Sequence, residues 1–146
     1  MNKTTFYIDE TQNPMRCSEQ QRNDRLRRFR EARDRLTAEF VDLLMTAPGA
    51  GVRWTGTVTD LMEVAHIAYL QGTVCAADGA SCTFRQLVER ACSVLNVKVP
   101  CNPQTCARRA SMRKGVRNSP FIDRYVRRME RAGMASLPVD MSADRA

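Results

Sequence analysis

The chain has 146 residues, 43% of them hydrophobic and 27% charged, with a net charge of +7. That suits one domain, or a small domain with an arm, and it excludes two full domains and disorder throughout. No run approaches the roughly 18 apolar residues of a membrane span, and the opening Met1-Asn2-Lys3-Thr4-Thr5-Phe6 lacks the apolar core of a secretory signal, so a cytoplasmic protein with no membrane partner is expected.

The first fifteen residues read as a loosely ordered arm. From Ser18 the pattern turns helical: Ser18 and Gln21 fit a capping box, and Leu26, Phe29, Leu36, Phe40 and Leu43 recur at helical steps. Arg33 interrupts that apolar seam, and the basic residues of this stretch are answered by Asp24, Glu31, Asp34 and Glu39. A solvated helix that packs on the domain, or on a second copy, explains this better than a DNA-binding arm. Pro48-Gly49-Ala50-Gly51 then forms the best linker.

After the linker, Thr57 can cap a helix with Asp60 three residues on, and Val58, Leu61, Met62, Ala65, Ala68 and Tyr69 share one face up to a stop at Gly72. Thr73-Val74-Cys75 fits a short strand before a turn at Asp78-Gly79. Thr83 and Gln86 form a capping box ahead of Phe84, Leu87, Val88, Ala91, Val94 and Leu95, the cleanest stripe in the chain. Asn102-Pro103 reads as an N-cap and a first-turn proline, which predicts a helix to about Lys114 with Gly115 as its stop. Ser119-Pro120 repeats the start signal for a last helix anchored by Phe121, Ile122, Tyr125, Val126 and Met129. From Gly133 onward the sequence reads as a disordered tail.

The charge is unevenly placed along these elements. Residues 101–135 hold nine Lys/Arg against two Asp/Glu, an excess equal to the whole net charge. Only Lys3, Lys98 and Lys114 are lysine; the other basic residues are arginines, whose planar fork suits phosphates and guanine edges, although a GC-rich genome produces the same bias. The six cysteines contain no Cys-x-x-Cys pair, and the single histidine, His66, falls within a helical stripe. Free cysteines in a reducing compartment act as small apolar side chains, so no metal and no cofactor is expected.

The order helix, short extended piece, helix, turn, helix over residues 57–113 is shared by helix-turn-helix and winged-helix domains. In such a domain the third helix is least committed to the core, and here the third helix is both core-poor and basic. The expected architecture is mainly α: an arm and long amphipathic helix over 1–51, a helix-turn-helix or winged-helix-like domain with an additional C-terminal helix over 52–133, and a tail over 134–146.

Two motifs carry a further likeness. The opening Arg53-Trp54-Thr55-Gly56-x-x-Thr59-Asp60-Leu61-x-Glu63, with Phe84-x-x-Leu87 after it, and the closing Arg117-Asn118-Ser119-Pro120-Phe121-Ile122-Asp123-x-x-x-x-Arg128-Met129 resemble the C-terminal domain of the RteC family. That family comprises conjugative-transposon regulators with an α-helical N-terminal part and a winged-helix-like DNA-binding part. The resemblance spans residues 53–132 and implies a DNA-binding transcriptional regulator with Asn102–Lys114 in the recognition position.

On this reading Gln104, Thr105, Arg108 and Arg109 face base edges, and Arg113, Lys114, Arg117, Arg124 and Arg128 face phosphates of double-stranded DNA. A solvated helix face explains any single arginine equally well. The alternative is a protein-interaction module of a mobile element, pairing as a homodimer through residues 26–44. No nucleophile with its base, paired carboxylates, phosphate loop or small-molecule substrate motif is evident, so the chain does not read as an enzyme.

Overall fold

The computed structural model describes residues 14–72, 74–75, 79–113 and 119–140, with only the backbone described for 14–17. The expected N-terminal arm up to residue 13, the turn residue Asp78, the stop at Gly115, and the tail beyond Asp140 lie outside the described residues. The fold is mainly α. In chain order the elements are α1 (Pro14–Leu44), β1 (Arg53–Trp54), α2 (Val58–Gln71), α3 (Phe84–Leu95), α4 (Pro103–Ser111), α5 (Phe121–Ala132) and β2 (Val139–Asp140). No helix among the described residues is long and apolar enough to cross a membrane.

The chain divides into two compact units, Met1–Glu31 and Ala32–Ala146. In the first, Arg27 pairs with Asp24 at 3.0 Å and stands 3.9 Å from Glu31, and the Arg25 guanidinium lies 5.9 Å from the Phe29 ring centroid. Exposed pairs at these spacings support a solvated helix by about 0.2–0.5 kcal/mol each.

The second unit takes in the rest of α1. Ala32, Leu36, Phe40, Leu43 and Leu44 recur at helical spacing and are buried with Leu61, Met62, Val64, Leu87, Val88, Leu95 and Tyr125. The compact body therefore includes residues 32–51, which the glycine-rich break sets apart in the sequence. Of the homodimer seam expected over 26–44, Leu36, Phe40 and Leu43 are already buried in the chain's own core. The last carbonyls of α1 are met from α3, where Arg90 donates through Nε to Leu44 O at 2.8 Å and through Nη2 to Thr46 O at 3.2 Å.

The start of α2 is built as its sequence predicts. Thr57 Oγ1 accepts from Asp60 N at 3.1 Å, and the half-buried Trp54 donates from Nε1 to Thr57 O at 2.8 Å. A Cβ at Gly56 would stand 3.0 Å from both Pro138 Cγ and Trp54 Nε1, so any larger residue here requires those side chains to give by a few tenths of an ångström. α3 carries the full Thr83/Gln86 capping box and ends on Asn96 in the left-handed conformation, φ 56°. Of the strand expected at 73–75, Thr73 lies outside the described residues, and Cys75 makes a single antiparallel bridge with Ser81.

Residues 134–140 depart from the expected disordered tail. β2 pairs antiparallel with β1, Arg53 opposite Asp140 and Trp54 opposite Val139, and Ala135 and Leu137 are buried. Glu39 fastens this segment, because its Oε2 accepts from Leu137 N at 2.9 Å while its Oε1 accepts from Tyr125 Oη, which also reaches Ala135 O at 3.3 Å. A two-residue strand and one leucine give no periodicity for a sequence reading to detect.

Candidate nucleic-acid interface

α4 is a short helix held on one side. Asn102 Oδ1 accepts from Thr105 N at 3.3 Å, Pro103 occupies the first turn, and Pro103, Ala107 and Ala110 are buried, mainly against α2. Cys106 donates through Sγ to Thr59 Oγ1 at 3.8 Å. Small side chains on this face let α4 lie close to α2 while contributing little core of their own. The opposite face carries exposed Gln104, Arg108, Arg109 and Ser111, with Thr105 half-buried. Arg108 and Arg109 lie in the last turn, where positive charge complements the helix dipole. Met112 closes the helix and is 67% exposed, so α4 stops three residues short of the expected end at Lys114.

The basic residues beyond α4 separate into two groups. Arg113 Nη1 and Arg124 Nη2 both bind one oxygen of the buried Asp60, Oδ1, at 3.5 and 2.7 Å. The Arg124 guanidinium also lies 5.4 Å from the Phe121 ring centroid, and its Nε is buried without a hydrogen-bond partner. These two arginines, expected as phosphate contacts, tie the end of α4 and the first turn of α5 to α2 while remaining partly exposed. Arg128 is exposed on α5, with Arg127 and Arg131 also exposed on that helix. Lys114 and Arg117 lie outside the described residues.

No protein-family model, curated protein or solved structure matches the chain.

The acids of α2 are what sequence reasoning missed. Asp60 and Glu63 stand three residues apart in a stretch of α2 buried all round, with Leu61, Met62, Val64 and Ala65. Two acids at that spacing within a buried run are the available signal, because buried carboxylates must find partners. Glu63 finds its partners in the backbone: Phe121 N donates to Oε1 at 2.8 Å and Ile122 N to Oε2 at 3.0 Å. Burial still pushes its carboxyl above the ordinary value, outweighing the two amide bonds; nearby Asp60 adds to the rise and Arg124 opposes it. Ser119, expected to cap α5, is instead buried with its hydroxyl unpartnered.

His66 is half-buried, edge-on to Phe84 at 5.4 Å between centroids and 6.4 Å from Tyr69, and burial lowers its pKa. Of the described cysteines, Cys75 and Cys101 are exposed, Cys82 and Cys106 half-buried and Cys92 buried, and all are free thiols. Burial pushes the Cys92 thiol up to about 11, which keeps it protonated and inert near neutral pH.

Proposed function

We propose that the chain is a DNA-binding transcriptional regulator of a conjugative transposon or related mobile element, as its resemblance to the RteC family implies. The observation that carries this reading is the two-sidedness of α4: one face is anchored on α2 through Pro103, Ala107 and Ala110, and the other presents Gln104, Arg108 and Arg109 to solvent. A helix in the recognition position of a helix-turn-helix or winged-helix-like domain has the same division of labour. In this assignment α2, α3 and α4 are the three helices of the motif. Gln104, Thr105, Arg108 and Arg109 read base edges, arginine favouring guanine and glutamine adenine. Arg128, with Lys114 and Arg117, neutralises phosphates. Arg113 and Arg124 act through Asp60 as positioning residues.

Fluorescence-anisotropy titration tests this with duplex DNA from upstream of the chain's own coding region and a scrambled duplex, across ~50–200 mM salt. Preference for the native duplex is expected, and Arg108→Ala and Arg109→Ala should each cost about 1–3 kcal/mol of that preference. Arg128→Ala should instead weaken both duplexes alike and flatten the salt dependence. Equal binding of the two duplexes, unaltered by the α4 substitutions, overturns the assignment.

A further inference from the structure

α1, α2, α4 and α5 border a cleft of about 670 Å³ that the DNA reading does not use. Small-molecule sites run roughly 300–1,000 Å³, with mostly apolar walls and a few convergent polar groups. The walls here are Ile67 and Leu70 from α2, Ala107 from α4, and Pro120 and Ile122 from the start of α5. Leu70 is 68% exposed at this cleft, a large apolar side chain left in water by its own fold.

The charges along the cleft balance, with Arg33 and Arg113 against Glu63 and Asp123. Glu63 is already engaged by the amides of Phe121 and Ile122, and Arg113 by Asp60. An anion such as a phosphate would therefore meet two carboxylates along with its cations, which sets this cleft apart from the basic outer face of α4. His66, kept neutral by its burial, and Gln71 supply uncharged polar groups at the same cleft.

We infer that the cleft between α1, α2, α4 and α5 binds a small, mainly apolar molecule of no net charge. Its body packs on Ile67, Leu70, Pro120 and Ile122, and its polar edge is hydrogen-bonded by His66 or Gln71. Ala107 and Ser111 bring α4 itself to the cleft, so an occupant touches the helix assigned to DNA beside Gln104, Arg108 and Arg109, none of which lines the cleft. The site stands whether or not α4 reads DNA.

The test is titration of the full chain with Nile red, a neutral dye whose emission shifts to the blue in apolar surroundings, beside the anionic dye anilinonaphthalene sulfonate. Saturable one-to-one binding of Nile red is expected. Leu70→Glu, which removes an apolar wall, should weaken it by roughly fivefold or more, the scale of one lost apolar contact, and Ser111→Trp, which fills the cleft from α4, should weaken it at least as much. Met45→Glu, at an apolar residue 78% exposed but absent from the cleft lining, should bind as the parent does. Circular dichroism and the melting temperature show which variants fold, and should one fail the other still decides. Absent binding, binding unchanged in both cleft variants, equal loss in Met45→Glu, or preference for the anionic dye each overturns the inference. Duplex titration of the same preparations reads the DNA assignment separately.

Discussion

Glu63 on α2 caps α5, a helix 58 residues further along the chain, by accepting the amides of Phe121 and Ile122 on its two oxygens. α5 opens at Pro120 without a side-chain cap of its own, so this carboxylate satisfies two of the donors a helix start leaves open. Glu63→Gln keeps one acceptor oxygen and turns an NH2 group toward the other amide. The expected loss is about 1–3 kcal/mol, read from urea unfolding, with Glu63→Ala costing more. Because burial raises the Glu63 pKa, the folded state holds this proton more tightly than the unfolded chain does. Its contribution therefore weakens as pH rises from 4.5 through the raised value, a slope that Glu63→Gln should lack.

Asp60 holds two arginines, and removing its charge should separate stability from DNA affinity. In Asp60→Asn both guanidinium groups lose their carboxylate, but Arg113 and Arg124 keep 28% and 32% of their side chains exposed, so water offsets part of the loss. A cost of about 1–3 kcal/mol is expected, below the roughly 3–5 kcal/mol of breaking a fully buried pair. If the proposed function holds, the two released cations should tighten binding of either duplex at low salt and steepen the salt dependence by roughly one to two counterions, while preference for the native duplex falls because α4 loses its positioning contacts. Unfolding and anisotropy measured on one preparation check both effects, and an unchanged salt slope would show that the released arginines do not reach DNA.

The second half of α1 should behave as core. Phe40 is fully buried within Ala32–Ala146, so Phe40→Ala should cost about 3–5 kcal/mol with an unfolding midpoint independent of protein concentration. A midpoint that rises with concentration in the parent chain would instead indicate that these residues join two copies.

Most of the fold's local chemistry was legible in the sequence, although α1 runs from Pro14 through Ser18, so the expected Ser18/Gln21 capping box does not start it. Thr57, Thr83 and Asn102 each accept from the amide three residues on, as their positions before an apolar run predict, and Gly72 ends α2 in the left-handed conformation. The boundary of the compact body was not legible, because an amphipathic stripe such as Leu36, Phe40 and Leu43 states that it will be buried without stating against what. The same limit applies at the candidate site. A core-poor, basic composition marked the helix that carries Gln104, Arg108 and Arg109, but whether an arginine meets solvent or a buried acid depends on contacts across 53 residues for Arg113 and 64 for Arg124. Ser119-Pro120 carried a helix-start signal whose helix formed, yet the cap came from Glu63 because a tertiary carboxylate supplies two acceptors where a serine supplies one side-chain oxygen.

His66 is the only histidine in the chain, which makes its titration directly readable. Burial lowers its pKa below the ordinary 6.5, so as pH falls the unfolded chain takes up this proton before the folded one does. The stability contributed by neutral His66 is therefore complete above pH 6.5 and is lost as pH falls through the lowered folded value. In an NMR titration the single imidazole Cε1–H resonance should have its midpoint below 6.5. The urea midpoint should also fall more steeply between pH 7 and pH 5 in the parent than in His66→Gln, where loss of the ring contacts with Phe84 and Tyr69 adds a pH-independent offset. A resonance midpoint at 6.5 would mean that the ring is solvated. Parallel pH profiles for parent and variant would then follow, since the proton would be bound equally well in both states.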